Sequence, residues 1–270
     1  MALTPGEALF ARYAFPPNDL GHCGPPGAEL LLAGAAGDDD RDLRARLEQF
    51  VGAWPYLDLL AGTMGVDDGL HPDVVSAYWL GGALLDRVEP AAVLAAVGRR
   101  FGAQPGVRDR LAALADAPAA RPDHLFHVFV VYPWVGLLGA AGDVPRSVLD
   151  SCRVRWGTVV RVEGESAGVW SRSLTWDGAA LGLDAGQVED CRWSRGRHAF
   201  VRELRPGDQV SLHWNWVCDR LDDDRVAELS ARTHAQLTTT NAWLARRDRA
   251  EEQPGRSPAG TTGSARRRAG

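Results

Sequence analysis

Apolar residues recur every three or four positions through the first half of this chain, and the spacing tightens to two further on. Residues 41–50 place Leu43, Leu47 and Phe50 on one stripe, which predicts an amphipathic helix. Residues 72–85, 90–101 and 107–114 repeat the style, and two of these stretches open on proline at the first-turn position, His71-Pro72 and Glu89-Pro90. Asp123 is placed to cap a long apolar segment running to Leu138, kinked at Tyr132-Pro133-Trp134. Residues 1–148 are therefore expected to form an α-helical domain, a bundle.

From Ser151 the pattern becomes that of short strands. Val154, Trp156, Val159 and Val162 mark the first, and residues 168–176 a second that ends on an Asp177-Gly178 turn signal. Residues 188–193, 199–204 and 209–218 complete about five strands, the number of a small barrel. Strict alternation puts Cys152, Val154 and Trp156 on one face and Arg153 and Arg155 on the other, toward solvent or an acidic partner. It also puts Trp214 and Trp216 together, opposite His213. Residues 222–239 return to helix, with Val226, Leu229 and Leu237 as the apolar side. Asp38-Asp39-Asp40 and Asp222-Asp223-Asp224 read as acids at helix N-termini. The expected fold class is α+β: a helical domain over 1–148, a β-barrel with a C-terminal helix over 149–243, and a disordered polar tail over 244–270.

Composition narrows the function more than the fold. With 45% hydrophobic and 24% charged residues in 270, the chain has a globular balance. All thirty basic residues are Arg, and the net charge of −5 argues against a nucleic-acid binder. Neither a signal peptide nor a membrane-spanning run is visible, so the expected location is the cytoplasm, without membrane contact. Seven of the ten tryptophans follow residue 150, as a small barrel core would need. Phosphate-loop, nucleophile-elbow and His-Glu-x-x-His patterns are all missing from the sequence.

Four cysteines without a CxxC pair point to free thiols or ligands rather than disulfides. Cys191 and Cys218 read as packing residues. His22 and Cys23 sit in a Gly/Pro-rich loop, while His124 and His127 share a helix face three residues apart, so these four form one candidate metal site if the loop folds over that helix. Cys152 and His213 form another, each inside a longer phrase. The first phrase begins Ser151-Cys152-Arg153-Val154-Arg155-Trp156-Gly157. The second runs from Gly207-Asp208 through Leu212-His213-Trp214 to Asp219-Arg220-Leu221 and a charged helix.

Those two phrases resemble the HypC-type chaperones of [NiFe] hydrogenase maturation, over Ser151 to about Leu237. In that family the Cys is N-terminal and is followed by Pro-Gly, whereas here it is internal and followed by Trp156-Gly157. The whole chain is also similar to an uncharacterised bacterial family encoded near [NiFe] hydrogenases. The resemblance implies a HypC-like barrel and a non-enzymatic maturation factor. It implies that Cys152 and His213, on neighbouring strands at an accessible barrel edge, bind or hand over iron as a cyanide- and carbonyl-ligated unit. The implied partner is a hydrogenase large-subunit precursor or an iron-assembly protein. Two other readings stand beside it: a metalloenzyme using His22, Cys23, His124 and His127, and a metal-free interaction scaffold.

Overall fold

The structure, a computed structural model, describes residues 3–38, 42–114 and 120–251. Helices α1 (Pro5–Asp19), α2 (Ala28–Ala35), α3 (Leu43–Leu47), α4 (Trp54–Met64), α5 (Pro72–Leu80), α6 (Ala83–Asp86), α7 (Pro90–Phe101) and α8 (Val107–Ala113) come first. Thr4 and Glu7 start α1 with a reciprocal capping box: the Thr4 hydroxyl accepts from the Glu7 amide, and the Glu7 carboxylate accepts from the Thr4 amide. The helix expected over 72–85 breaks at Gly81 and Gly82, whose φ angles of 85° and 129° suit glycine alone. There the Glu228 carboxylate accepts from the Gly82 amide, so a helix from the far end of the chain docks on the break.

Asp123 caps as expected, its carboxylate accepting from the Phe126 amide at 2.7 Å. The segment it opens is not one kinked helix, however. A short α9 (His124–Phe126) widens into a π-helical turn over His127–Val131, and a 3-10 turn follows over Pro133–Leu137. Proline at 133 has no amide to continue the ladder, which accounts for the change of helix type. Next comes α10 (Val144–Cys152), so Cys152 is the last residue of a helix and not a strand residue.

The strands are β1 (Arg155–Glu163), β2 (Ser166–Ser171), β3 (Leu174–Trp176), β4 (Leu181–Leu183), β5 (Gln187–Arg192), β6 (Ser194–Arg195), β7 (His198–Ala199), β8 (Gln209–His213) and β9 (Trp216–Arg220), followed by α11 (Asp223–Glu251). Five of them hydrogen-bond in the order β1-β2-β5-β9-β8, and β8 returns to β1, closing the sheet on itself. The one parallel contact, β5 with β9, rests on Arg192 opposite Trp216. The pairs β3–β4 and β6–β7 are separate two-stranded sheets. The strand expected over 199–204 stops after Ala199, where Glu203 takes a left-handed φ of 49°. The fold is thus mixed, with helices before a five-stranded sheet and a helix after it. Asp222 accepts from the Arg225 amide and Asp223 and Asp224 lie in the first turn of α11. Asp38 instead pairs with Arg197 and His198, and Asp39 and Asp40 lie outside the described residues. The tail expected to be disordered over 244–270 begins as helix instead: residues 244–251 continue α11, with Leu244 buried in the core, and 252–270 lie outside the described residues.

Alternation along β8 sorts the core. Val210 and Leu212 point into the closed sheet with Val159, Val169 and Val217. Ser211 and His213 point out of it, against α1. Trp216 and Cys218 likewise face the helices and join their core, where the Trp216 ring meets Phe15 at 4.8 Å. The helical half and the outer face of the sheet therefore share an apolar cluster, while the sheet interior holds its own. Arg153 and Arg155 are the reverse of the expectation, because both are buried. Arg153 pairs with Asp150, and Arg155 makes a two-pronged pair with Glu189 inside the sheet. Each buried guanidinium is tolerated because a carboxylate and main-chain oxygens accept its protons, Arg172 O for Arg153 and Trp214 O for Arg155. Among the described residues no helix is long and apolar enough to cross a membrane.

Trp216 is buried and central to this packing, whereas Trp214 is half-buried in the β8–β9 turn with φ 54°. Trp216→Ala is expected to lower unfolding free energy by about 3–5 kcal/mol in a denaturant titration, and Trp214→Ala by distinctly less.

Candidate metal centre

Donor atoms of His124, Cys152 and His213 all lie within 4.8 Å of one another, and all three residues are buried. Three elements supply them: α9, the last turn of α10, and the end of β8. The two candidate sites of the sequence thus merge. Cys152 and His213 converge, and His124 joins them from the other set. They do so differently from the expectation, on a helix end and a strand in the protein interior, not on neighbouring strands at an exposed edge. His127, Cys23 and His22 stay outside the triad, but all three line the same cavity, which measures about 310 Å³ and which the triad residues also line.

Each imidazole is oriented by a partner. His213 Nδ1 lies 2.7 Å from the Tyr13 carbonyl oxygen. A carbonyl can only accept, so Nδ1 carries the proton and Nε2 holds the lone pair. That Nε2 is buried and has no hydrogen-bond partner among the described residues. His124 Nε2 donates to the Cys152 carbonyl at 2.8 Å, and its Nδ1 faces the Tyr78 hydroxyl at 3.4 Å. Cys152 Sγ is 4.0 Å from His124 Nε2. Trp79 packs over both imidazoles, with ring centres 4.4 Å from His124 and 5.5 Å from His213.

Burial sets the charge state. It pulls His213 down to about 4 and His124 well below its ordinary value, with the neighbouring His213 adding to the effect on His124. Burial also drives the Cys152 thiol far up, so without an electrophile it stays protonated. Two neutral imidazoles and a thiol, one nitrogen of them unsatisfied, suit a borderline-soft cation. Bonds of ~2.0–2.3 Å would set the donors ~3.3–3.8 Å apart, a contraction of about an ångström. Binding would release the thiol proton, as metals do at buried cysteines.

The rest of the cavity is built by loops and aromatic rings. Asn18 Nδ2 donates to the carbonyls of Cys23 and Pro25, both at 2.7 Å, and so pins the loop carrying His22 and Cys23. Exposed His22 stacks on Trp214 with centres 4.2 Å apart, at the rim. The left-handed Trp214 is held at both ends, its amide donating to Ser151 O at 2.7 Å and its carbonyl accepting from Arg155. His127 Nδ1 meets the Tyr56 hydroxyl at 3.0 Å. Tyr13, Tyr78 and Trp79 escaped the sequence reading. Nothing local marks a tyrosine whose carbonyl orients a histidine 200 residues away.

Residues 2–247 match a family of unknown function, DUF6390. No curated protein and no solved structure matches the chain.

Burial alone depresses His127 to about 3. The unfolded chain protonates it near 6.5, so between those values the unfolded state binds the extra proton. Stability of metal-free protein should therefore be fullest above pH ~6.5 and fall as pH drops toward 3. Urea titrations at pH 7 and pH 5 check this, and His127→Asn is expected to flatten the decline.

Proposed function

We propose a function for this chain, which belongs to DUF6390, a family of unknown function: it is a metal protein in which His124, Cys152 and His213 hold one iron or zinc ion at the cavity wall. The observation that carries this is the buried, unpartnered Nε2 of His213, fixed in its ligating tautomer by the Tyr13 carbonyl. A backbone acceptor behind a histidine is the usual support of a metal ligand. An orphaned buried nitrogen costs about 1–3 kcal/mol unless something binds it. His124 can follow, because the Tyr78 hydroxyl both donates and accepts: if it accepts from Nδ1, Nε2 is freed for the metal. Three protein donors leave at least one coordination position, which is the arrangement of sites that act on a bound small molecule rather than of closed structural sites. An enzyme-like metal centre working on a guest of the cavity is the reading best supported.

A second reading is supported by the convergence of Cys152 and His213. These are the two residues that the HypC resemblance singles out, and they come from phrases about sixty residues apart. In that reading the sheet is a HypC-like barrel and the cavity shelters an iron unit with cyanide and carbonyl ligands. The partner is then a hydrogenase large-subunit precursor or an iron-assembly protein. Complete burial of the donors weighs against direct hand-over and makes this the second choice.

Protein purified without oxygen should carry about one iron or zinc per chain by elemental analysis. His213→Ala and Cys152→Ser should each lose it, and His127→Asn should keep it. Infrared bands of metal-bound cyanide and carbonyl would select the carrier reading. Retention of full metal in both triad variants, or no uptake of iron or zinc by the unaltered protein, would remove the metal site.

A further inference from the structure

The cavity beside the triad has walls of unusual uniformity. Among the described residues no Asp, Glu, Lys or Arg lines it, although these types make up 24% of the chain. Its broad surfaces are the rings of Phe10, Phe50, Tyr78, Trp79, Trp134 and Trp214. Desolvation keeps three titratable lining groups uncharged: buried His127 is depressed to about 3, half-buried Cys23 is raised to about 11, and half-buried Tyr132 is raised well above its ordinary value. A charged guest would find no counter-charge here and would forfeit its hydration. At about 310 Å³ the space is roughly twice the ~150 Å³ that admits benzene in an apolar protein cavity.

His127 is one of several polar side chains on this space, which His22, Gln49, Tyr132 and the triad also line. His127 lines the cavity, and its Nε2 lies 3.5 Å from where a Cβ on Gly52, another lining residue, would sit. Its Nδ1 is occupied by the Tyr56 hydroxyl, which is buried and has one proton to place. When Tyr56 gives that proton to Nδ1, the Nε2 of the neutral ring carries its hydrogen toward the cavity.

We infer that the cavity binds an uncharged aromatic molecule, of one or two rings, through ring packing and a hydrogen-bond acceptor presented to His127 Nε2–H. The inference takes from the metal-site reading only what becomes of the guest, an acceptor-bearing aromatic delivered beside the triad. Capture itself depends on walls that contain no metal ligand other than the triad residues. The chemistry points to a ketone, aldehyde, ester or ether of an arene, and against carboxylates, phosphates and amines.

Gly52 offers a direct test. Its φ is not left-handed, and a Cβ there would meet His127 alone within 4 Å, at ordinary contact distance, so a Cβ is accommodated between two lining residues of the cavity. The as-purified full chain is titrated calorimetrically with acetophenone, with benzoate, and with cumene, which has the same shape but no acceptor. Metal content is measured on the same sample. Acetophenone is expected to bind at least tenfold more tightly than either competitor, and Gly52→Leu is expected to abolish its binding while Gly52→Ala retains it. Circular dichroism and thermal melting confirm that the Gly52 variants are folded, and the ranking of the three probes on the unaltered protein needs no variant. Benzoate binding as tightly as acetophenone, no saturable binding by any probe, or unchanged binding in folded Gly52→Leu would each overturn the inference. Tight acetophenone binding by a sample that takes up no metal would sink the metal-site reading and leave this one standing. A metal-loaded sample that ignores all three probes would do the opposite.

Discussion

Tyr13 holds the two halves of this protein together. Its hydroxyl shares a 2.7 Å hydrogen bond with Ser211, and its carbonyl accepts a second from His213, also at 2.7 Å. Ser211 and His213 are two residues apart on β8, so strand periodicity puts both on the face that looks at α1. All the groups in these bonds are buried, where a lost partner leaves a polar atom with neither protein nor water to satisfy it. The Tyr13 ring also stacks on Trp79 at 5.2 Å, and Trp79 packs over His124 and His213. Sheet register, helix placement and the direction of the His213 ring are therefore one constraint.

Dryness gives the site its second property. Imidazoles that would half-protonate in water at pH 6.5 stay neutral here, and a thiol that would ionise near 9 stays protonated. The triad thus stores three uncharged donors whose mutual repulsion is small, ready for a cation that supplies the missing charge. The buried Arg153 and Arg155 are neutralised by Asp150 and Glu189. Arg155 holds the turn that carries Trp214, and neither guanidinium lines the cavity.

Much of this was legible in the residues. Helical spacing located α7 and α8, Asp123 was read correctly as a cap, and the change to period two after residue 150 marked the strands. Cys152 and His213 were found by their phrases, and His124 by its position at a helix start. The faces were not legible. Alternation cannot run through Cys152, because α10 extends to that residue and β1 begins only at Arg155; from there Arg155 pairs with Glu189 in the sheet while Val154 and Trp156 pack on the helices, so neither side of this stretch opens to solvent. A strand with both faces covered also hides its period, as β8 does, since Val210, Ser211, Leu212 and His213 are all buried. Helices α1, α2 and α4 escaped because their neighbours are apolar nearly all round, leaving little contrast between faces. The union of two candidate sites depends on contacts between residues 28 and 200 positions apart, which no local pattern encodes.

That long reach has a consequence for how the protein comes into being. Synthesis delivers α1 first and β8 some 200 residues later, so Tyr13 waits through most of translation for the histidine it orients. A nascent chain ending before β8 offers His124 and Cys152 but no third donor and no closed wall around them. Contacts of such sequence separation form late, because the intervening chain must first be ordered. On the metal-site reading proposed above, an ion arriving early would meet scattered, hydrated side chains with no geometry to select it. On that reading the pocket would discriminate only once β8 has closed it, and loading would belong to the completed molecule and not to its fragments.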